Sequence, residues 1–443
     1  MDVGIGHFGS PRWLDRCLGV TASAWKLHGW YSLVLGSADN PWLRTAVNSL
    51  SVCQPGCIPV VKTIPLHRLS RAMPVFAANP PVDIVYLWVD GSDPAWRAKR
   101  HAAALRLGAV EVESMAPYGN VEGRFRDNGE LRYSLRALER FFPGHGHVYL
   151  VTDGQTPRWL KASSRITVVS HQELLPANRL PTFDSGNIES YIHRIPGLSE
   201  RYIYLNDDVF FGAPVRLDHW FWSGGFYAAW SDDLAVADGP MRPEDNSLEN
   251  ASRLSNQWLS TLPALTGAGY RHTPRTFAHS PRPMLKSLLF RLEDEAPELF
   301  ERVRSGVFRT WDNPTLVSDF VLRWALAHEV AKIRDYAHLY LATGDADPSD
   351  PLAELVAADG KLDFFCINDT TDDAHGHDPR LTRVQAALQR MFPRAAPFEQ
   401  PHVGAAHITH PSPHQGPHHS WAHPTRLLEK PGHRSQAEPV AAT

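Results

Sequence analysis

Short apolar runs separated by polar turns dominate the sequence from residue 83 onward. Residues 83–89 (DIVYLWV) are almost continuously apolar, which is typical of a strand buried on both faces. Further apolar runs occur at 148–151, 166–169 and 202–205. Helical spacing of apolar side chains separates these runs at 127–142 and 186–195. This alternation predicts an α/β fold with a mainly parallel sheet.

Two polar patterns lie on the predicted helices. Asp127 and Glu130 have the spacing of a capping box at the start of the helix 127–142. Glu189 and His193 are four residues apart, so a helix would place both on one face, away from its apolar stripe. Two interpretations of that pair remain open, namely an acid–base pair at a functional site and a solvated helix face.

Carboxylates follow three of the predicted strands. Asp90, Asp153 and the pair Asp207-Asp208 each come directly or almost directly after an apolar run. Because ligands of parallel sheets bind at the carboxyl ends of the strands, these acids are candidates for one site. Adjacent acids suit a hard divalent cation such as Mg²⁺ or Mn²⁺, although an exposed turn has the same pattern.

The C-terminal part of the chain is predicted to be mostly helical from about residue 280. Asn313-Pro314 resembles the start of a helix extending to about 333, and residues 381–392 predict a last helix. The apolar run 364–367 ends in Asn368-Asp369, which repeats the pattern of polar residues after a strand.

The composition argues against several classes of protein. The chain has 443 residues, with 44 Lys and Arg against 48 Asp and Glu, which argues against a broad nucleic-acid surface. The four cysteines are too few and scattered for a disulfide framework, and Cys53 and Cys57 lack the second pair of a zinc site. No signal peptide and no transmembrane segment are predicted, so we expect a cytoplasmic protein.

Four blocks of this sequence are specific enough to compare with a known family. The first is DIVYLWVDGSDPAW (83–96), and the second comprises residues 124–160, from RFRDNGEL onward, and LPTFDSGNIESYIHRIPGLSERYIYLNDDVFFG (180–212). The third comprises YRHTPRTF (270–277) and GVFRTWD (306–312), and the fourth FFCINDTTDD (364–373) and MFPRAAPFE (391–399). These blocks and their order resemble the Stealth family, which contains bacterial capsule and cell-wall polysaccharide phosphotransferases and the animal enzyme that adds N-acetylglucosamine 1-phosphate to lysosomal glycoproteins.

The resemblance implies transfer of a sugar 1-phosphate from a nucleotide sugar, expected to be UDP-linked, to a glycan hydroxyl. The product would be a phosphodiester in a capsular or cell-wall polysaccharide, and a nucleoside monophosphate would leave. The resemblance also implies a Rossmann-like core related to glycosyltransferase-A, a Mg²⁺ or Mn²⁺ cofactor, and peripheral contact with membrane-bound polysaccharide machinery. The alternatives are a metal-dependent glycosyltransferase that releases UDP and a non-catalytic protein that binds glycans or nucleotides.

The resemblance assigns roles to residues of this chain. Asp207 and Asp208 are expected to act in catalysis and to bind the metal together with Asp369. His272 is the expected base and Arg309 the expected phosphate clamp. The other residues expected to bind substrate are Asp90, Gly91, Arg124, Arg126, Asp153, Asn187, Glu189, His193, Arg194, Asn206 and Asn368.

We predict three parts along the chain. Residues 1–80 are an N-terminal extension of unknown role. Residues 81–400 form the catalytic domain, with an α/β core at 81–230 and a spacer and mostly helical part at 231–400 that completes the site. Residues 401–443 hold eight of the 23 histidines and many prolines, which predicts a disordered tail rather than a metal-binding tract.

Overall fold

The computed structural model describes residues 81–400, apart from residue 118, residues 268–269, residue 314 and residues 345–349, and also three N-terminal strands. The predicted tail at 401–443, the Cys53/Cys57 pair and Pro314 lie outside the described residues. The strands are β1 (Gly6–Phe8), β2 (Val20–Leu27), β3 (Trp30–Ser37), β4 (Asp83–Leu87), β5 (Val148–Thr152), β6 (Ile166–Ser170), β7 (Arg201–Asn206), β8 (Val209–Phe211), β9 (Phe221–Trp222), β10 (Gly225–Ala228), β11 (Arg282–Leu285), β12 (Ala331–Ile333), β13 (His338–Ala342) and β14 (Phe364–Asn368).

The described α-helices connect and cover these strands. They are α1 (Pro94–Ala104), α2 (Ala109–Glu113), α3 (Glu130–Phe141), α4 (His171–Leu174), α5 (Ser185–Glu189), α6 (Leu217–Trp220), α7 (Ser247–Leu259), α8 (Pro263–Gly267), α9 (Lys286–Glu295), α10 (Pro297–Ser305), α11 (Val321–Ala327), α12 (Pro351–Ala357) and α13 (Pro379–Met391). Short 3₁₀ turns lie at Gly123–Phe125, Ala177–Arg179 and Ile192–Arg194, and a π-helical turn at Leu316–Phe320.

The central sheet has the strand order β11-β7-β4-β5-β6. Strands β4, β5, β6 and β7 are parallel, and β11 pairs antiparallel with β7. The chain moves outward from β4 through β5 to β6 and then crosses to the other side of β4 to form β7. The neighbouring strands β4 and β7 therefore flank the topological switch point, where ligands of such sheets bind. The predicted α/β fold with a mainly parallel sheet is confirmed.

A second sheet continues directly from the central one. Two residues separate the end of β7 from the start of β8 at Val209. Strand β8 pairs antiparallel with β14, which in turn pairs parallel with β13. The rings of Phe210 and Phe365 stack with their centroids 4.7 Å apart and fix this pairing in the core. The C-terminal part thus supplies strands β11 to β14 as well as the helices that the sequence predicted.

Three helices differ from their predictions, two of them at their ends. Helix α3 begins at Glu130 with Gly129 as its N-cap, at a φ of +91° that favours glycine, so the predicted capping box is absent. The Asp127 carboxylate instead accepts from the Gly129 N–H at 2.7 Å, and the Glu130 carboxylate accepts from the Asn128 N–H at 2.5 Å. The predicted helix to 333 ends at Ala327 and is followed by β12.

The predicted helix 186–195 is interrupted. Helix α5 ends at Glu189, and a separate 3₁₀ turn follows at Ile192–Arg194. Glu189 and His193 therefore do not share the helical face that their spacing predicted. Their side chains go to different neighbours, as described below.

The C-terminal end of the described chain is bound to α3. The carboxylate of Glu399 accepts from Arg136 Nε at 2.6 Å and from Arg132 Nε at 2.5 Å. Arg136 and Glu399 are both buried, so each compensates the charge of the other away from water.

Candidate active site

Asp207 and Asp208 form the turn between β7 and β8, at the carboxyl end of the central sheet. Both are half-buried. The backbone of Asp208 belongs to the second sheet, because its carbonyl accepts from the Ile367 N–H at 3.0 Å. The acid pair therefore lies in a half-buried turn between strands of two sheets, and its role in binding a metal stays a prediction.

Other carboxylates crowd this acid pair. Burial and the negative charges of Asp208, Glu130 and Asp127 raise the pKa of Asp207 well above its usual value. Burial and the neighbouring Asp127 raise the pKa of Glu130 to about 8. This concentration of negative charge, next to a strand end, is a suitable environment for a divalent cation.

A histidine that the sequence analysis did not select lies beside Asp208. The Nε2 atom of His279 is 3.6 Å from Oδ1 of Asp208 and 2.7 Å from the side-chain nitrogen of Asn206. Cys366 Sγ is 3.5 Å from the other carboxylate oxygen of Asp208. The ligand atoms of Asp208, His279 and Cys366 all lie within 4.8 Å of one another.

Two arginines provide positive charge near His279. Arg309 donates to Ser185 Oγ at 2.7 Å and contacts the Asp184 carboxylate at 3.3 Å, while Arg124 donates to the same Ser185 oxygen at 3.3 Å. Burial and the charge of Arg309 lower the pKa of Arg124 to about 9. Burial, opposed by the charge of Asp208, lowers the pKa of His279, and the charges of Arg309 and Arg124 add to this effect.

Glu189 lies beside Tyr204 of β7, next to Asn206. Its Oε1 accepts from the Tyr204 hydroxyl at 2.9 Å, and that hydroxyl also contacts Asn206. The second oxygen of Glu189 is buried and has no hydrogen-bond partner among the described residues. The structure thus brings together Glu189, Asn206, Asp207, Asp208, Arg124 and Arg309, through direct contacts or electrostatic interaction.

Gly91 acts through its backbone. Its N–H donates to the Phe125 carbonyl at 2.9 Å, and a Cβ added at Gly91 would lie 2.0 Å from that oxygen. The turn after β4 can therefore pack against the turn that carries Arg124 only if residue 91 lacks a side chain. Asp90 lies in the same turn and accepts from the Ser92 N–H at 2.9 Å.

Asp369 forms a polar group with residues of the second block. Its carboxylate pairs with Arg126 and accepts from the Asn128 side chain at 3.1 Å and from the Thr371 N–H at 2.9 Å. These hydrogen bonds outweigh burial and lower the pKa of Asp369. Asn368 donates to the Tyr340 hydroxyl at 2.7 Å. The role of Asp369 as a metal ligand stays a prediction.

Several predicted residues form contacts elsewhere in the structure. His272 lies 3.2 Å from Ser252 Oγ and 3.4 Å from the Tyr270 hydroxyl. Asp153 forms an ion pair with Lys99 at 2.7 Å. The structure gives no contact between either residue and the acid pair.

An ion-pair network around Glu293 holds two more of the predicted residues, the buried His193 and the exposed Arg194. His193 Nε2 and Arg194 contact the carboxylate of Glu293 at 2.8 and 2.7 Å, and Arg304 pairs with the same group. Asn187 donates to the Gly306 carbonyl at 2.9 Å, between this network and Arg309. These contacts anchor the segment that carries Arg309.

Three family models match the chain. They are described as Stealth protein CR1, conserved region 1, at residues 80–108, Stealth protein CR2, conserved region 2, at 124–228, and Stealth protein CR4, conserved region 4, at 357–408. Among solved structures, the galactosyltransferase LgtC covers 69% of this chain and 95% of its own at 11% identity and a TM-score of 0.34. Mouse xyloside xylosyltransferase 1 covers 67% of this chain and 100% of its own at 12% identity and a TM-score of 0.32.

Curated relatives carry the name exopolysaccharide phosphotransferase. One from Streptomyces coelicolor is 35% identical over 72% of this chain and 33% of its own length. CpsY from Mycobacterium leprae is 34% identical over 72% of this chain and 57% of its own length. The chain thus spans about a third to three fifths of these relatives. The three matched regions and these identities lead to one conclusion, which is that the chain belongs to the Stealth family.

Proposed function

We propose that this protein transfers a sugar 1-phosphate from a nucleotide sugar to a hydroxyl of a glycan acceptor, in polysaccharide synthesis. The names of the relatives support the reaction class. The observation that carries the proposal is the environment of His279, which lies 3.6 Å from Asp208 and whose pKa is lowered in part by the charges of Arg309 and Arg124. A base, an acidic metal site and a phosphate clamp are the groups that phosphoryl transfer needs.

The acid pair is the proposed site for Mg²⁺ or Mn²⁺. Asp207 and Asp208 offer carboxylate oxygens, which these ions prefer, and the raised pKa of Asp207 reflects a local excess of negative charge. When bound, the ion would neutralise charge on the donor diphosphate.

Among the described residues, no helix is both long and apolar enough to cross a membrane.

In the proposed step, the acceptor hydroxyl attacks the phosphorus atom attached to the donor sugar. A new bond forms between the acceptor oxygen and phosphorus, and the bond between that phosphorus and the bridging oxygen of the diphosphate breaks. The nucleoside monophosphate leaves with the bonding electron pair. We assign the base that takes the hydroxyl proton to His279 instead of His272, because His279 lies beside Asp208 and its lowered pKa keeps the imidazole neutral.

Arg309 and Arg124 are the proposed phosphate ligands. Both guanidinium groups converge on Ser185, where a planar fork of donors can bind phosphate oxygens in two places. Glu189 is proposed to bind the donor or the acceptor through its second oxygen, which has no partner among the described side chains.

Product analysis tests the proposed function. The protein is incubated with Mg²⁺ or Mn²⁺, a panel of UDP-sugars and candidate glycan acceptors, and the released nucleotide is identified. Release of UMP together with a phosphodiester in the glycan is the expected result, and it should cease after chelation of the metal. Release of UDP would convert the proposal to a glycosyltransferase. Nucleotide binding without any turnover across the panel would favour a binding protein.

A further inference from the structure

The site contains a thiol beside Asp208, which an ordinary magnesium site would lack. Cys366 Sγ lies 3.5 Å from Asp208 Oδ2, and His279 Nε2 lies 3.6 Å from Asp208 Oδ1. The three side chains come from three separate segments, which are the turn after β7, the residues before β11, and β14. One carboxylate, one imidazole and one thiol therefore meet around a common point.

The distances fit a tetrahedral ion that binds sulfur and nitrogen. With Zn–S of about 2.3 Å and Zn–N or Zn–O of about 2.0 Å, tetrahedral ligand atoms lie roughly 3.3–3.8 Å apart. The separations of 3.5 and 3.6 Å are to the two different oxygens of Asp208. When one ligand atom is taken from each residue, all three lie within 4.8 Å of one another, close enough for small side-chain shifts to reach this range. Thiolate and imidazole ligands favour Zn²⁺ and Co²⁺, whereas Mg²⁺ and Mn²⁺ favour oxygen ligands.

Two of the three side chains are accessible to solvent. The Asp208 and His279 side chains are 18% and 23% exposed, so solvent reaches them. Cys366 is fully buried and is held by the pairing of β14 with Val209 of β8. The buried Oδ1 atom of Asp208 has no hydrogen-bond partner among the described residues, as expected of an oxygen that is available to a ligand.

We propose that Asp208, His279 and Cys366 form a Zn²⁺ site, with the fourth position open to water, and that Zn²⁺ bound there inhibits the enzyme. The Cys366 thiol loses its proton to solvent as the Zn–S bond forms. Inhibition follows because the ion binds the Asp208 carboxylate and takes the His279 Nε2 lone pair, which otherwise accepts from the Asn206 side-chain N–H at 2.7 Å. This second part rests on the proposed function, whereas binding of the ion does not.

Cobalt binding tests the site directly. The probe is Co²⁺ added to the full chain in which Cys17, Cys53 and Cys57 are replaced by serine, which leaves Cys366 as the one thiol. We expect a thiolate-to-cobalt charge-transfer absorption that saturates at one equivalent. Zn²⁺ should displace it, and excess Mg²⁺ should not. Absence of the absorption in this single-cysteine protein would overturn the proposal.

Variants of the single-cysteine protein identify the other ligands. His279→Gln should weaken Co²⁺ binding by more than about tenfold, because it removes a ligand. The matched control is His147→Gln, since His147 precedes β5 at the opposite end of the sheet and contacts Thr167. Equal Co²⁺ affinity in the two variants would contradict the assignment. The histidines at 401–443 do not affect this measurement, because an imidazole gives no thiolate absorption.

Turnover tests the inhibition separately. Zn²⁺ should inhibit the protein with native cysteines, and Cys366→Ser should need a concentration at least about tenfold higher for the same inhibition. A cobalt absorption combined with full turnover at saturating Zn²⁺ would overturn the inhibitory part alone. If no substrate of the panel is turned over, the proposed function fails, while the cobalt absorption still decides whether the site exists.

Discussion

His279 Nε2 lies 3.6 Å from Asp208 Oδ1, although 71 positions separate the two residues in the sequence. The antiparallel pairing of β11 with β7, in which Arg282 faces Tyr204, brings the segment before β11 to the end of β7. The catalytic histidine of the proposed mechanism is therefore positioned by sheet pairing and not by a local motif.

Replacing this histidine should affect turnover far more than replacing His272. We expect His279→Gln to lower kcat by about 10²–10⁴-fold, because it removes the general base. His272→Gln should retain most of the activity, since His272 contacts Ser252 and Tyr270. Steady-state kinetics of both variants provide the measurement. A large loss in His272→Gln with full activity in His279→Gln would restore the assignment made from the sequence.

Arg309→Lys should lower kcat by about 10²-fold, because a lysine keeps the charge but loses the planar fork that binds phosphate. Arg302→Lys is the matched control, since Arg302 also contacts an aspartate, Asp312, but is about 38% exposed. The kinetic constants of the two variants can be compared under identical metal and donor concentrations. Equal effects in both would show that the loss in Arg309→Lys does not come from phosphate binding.

Gly91→Ala should lower the free energy of unfolding by about 1–3 kcal/mol, because the added Cβ would meet the Phe125 carbonyl oxygen. Gly144→Ala is the control, since a Cβ there has no neighbour within 4 Å. Urea unfolding of the variants and the wild type measures the difference. Weaker donor binding in Gly91→Ala at unchanged stability would instead support direct contact between residue 91 and the substrate.

The free energy of unfolding should decrease as the pH is lowered from about 6.5 to about 4, because of His193. Burial lowers the pKa of this histidine from 6.5 to about 4, so in this range the unfolded chain binds a proton that the folded chain does not. The contribution is a slope of up to about 1.4 kcal/mol per pH unit, with stability increasing as the pH rises.

The variant His193→Gln should show a shallower dependence of the unfolding free energy on pH over this range. Urea unfolding at pH 7 and pH 5 provides the comparison, and His147→Gln is the control, since His147 is half-buried and contacts Thr167. The same pH dependence in wild type and His193→Gln would exclude this histidine as the source.

The sequence predicted the strands of the parallel sheet well, because residues buried on both faces form continuous apolar runs. It also predicted that Asp207 and Asp208 follow a buried strand, as they do, whereas their role at the site stays a prediction. It did not identify His279, because nothing in the sequence around His279 indicates that the following strand, β11, pairs with β7. The spacing of Glu189 and His193 was misleading for a different reason. The helix stops at Glu189, so Glu189 contacts Tyr204 while His193 joins Glu293.

The link between Glu399 and α3 has a practical consequence for the design of shorter proteins. A fragment that ends before residue 364 would lack β14 and, with it, Cys366 and the partner of β8. A fragment that ends just before Glu399 would keep these strands but leave the Arg136 guanidinium buried without its carboxylate. Such an uncompensated charge typically costs about 3–5 kcal/mol. The smallest autonomously folding piece of this domain should therefore extend through residue 399.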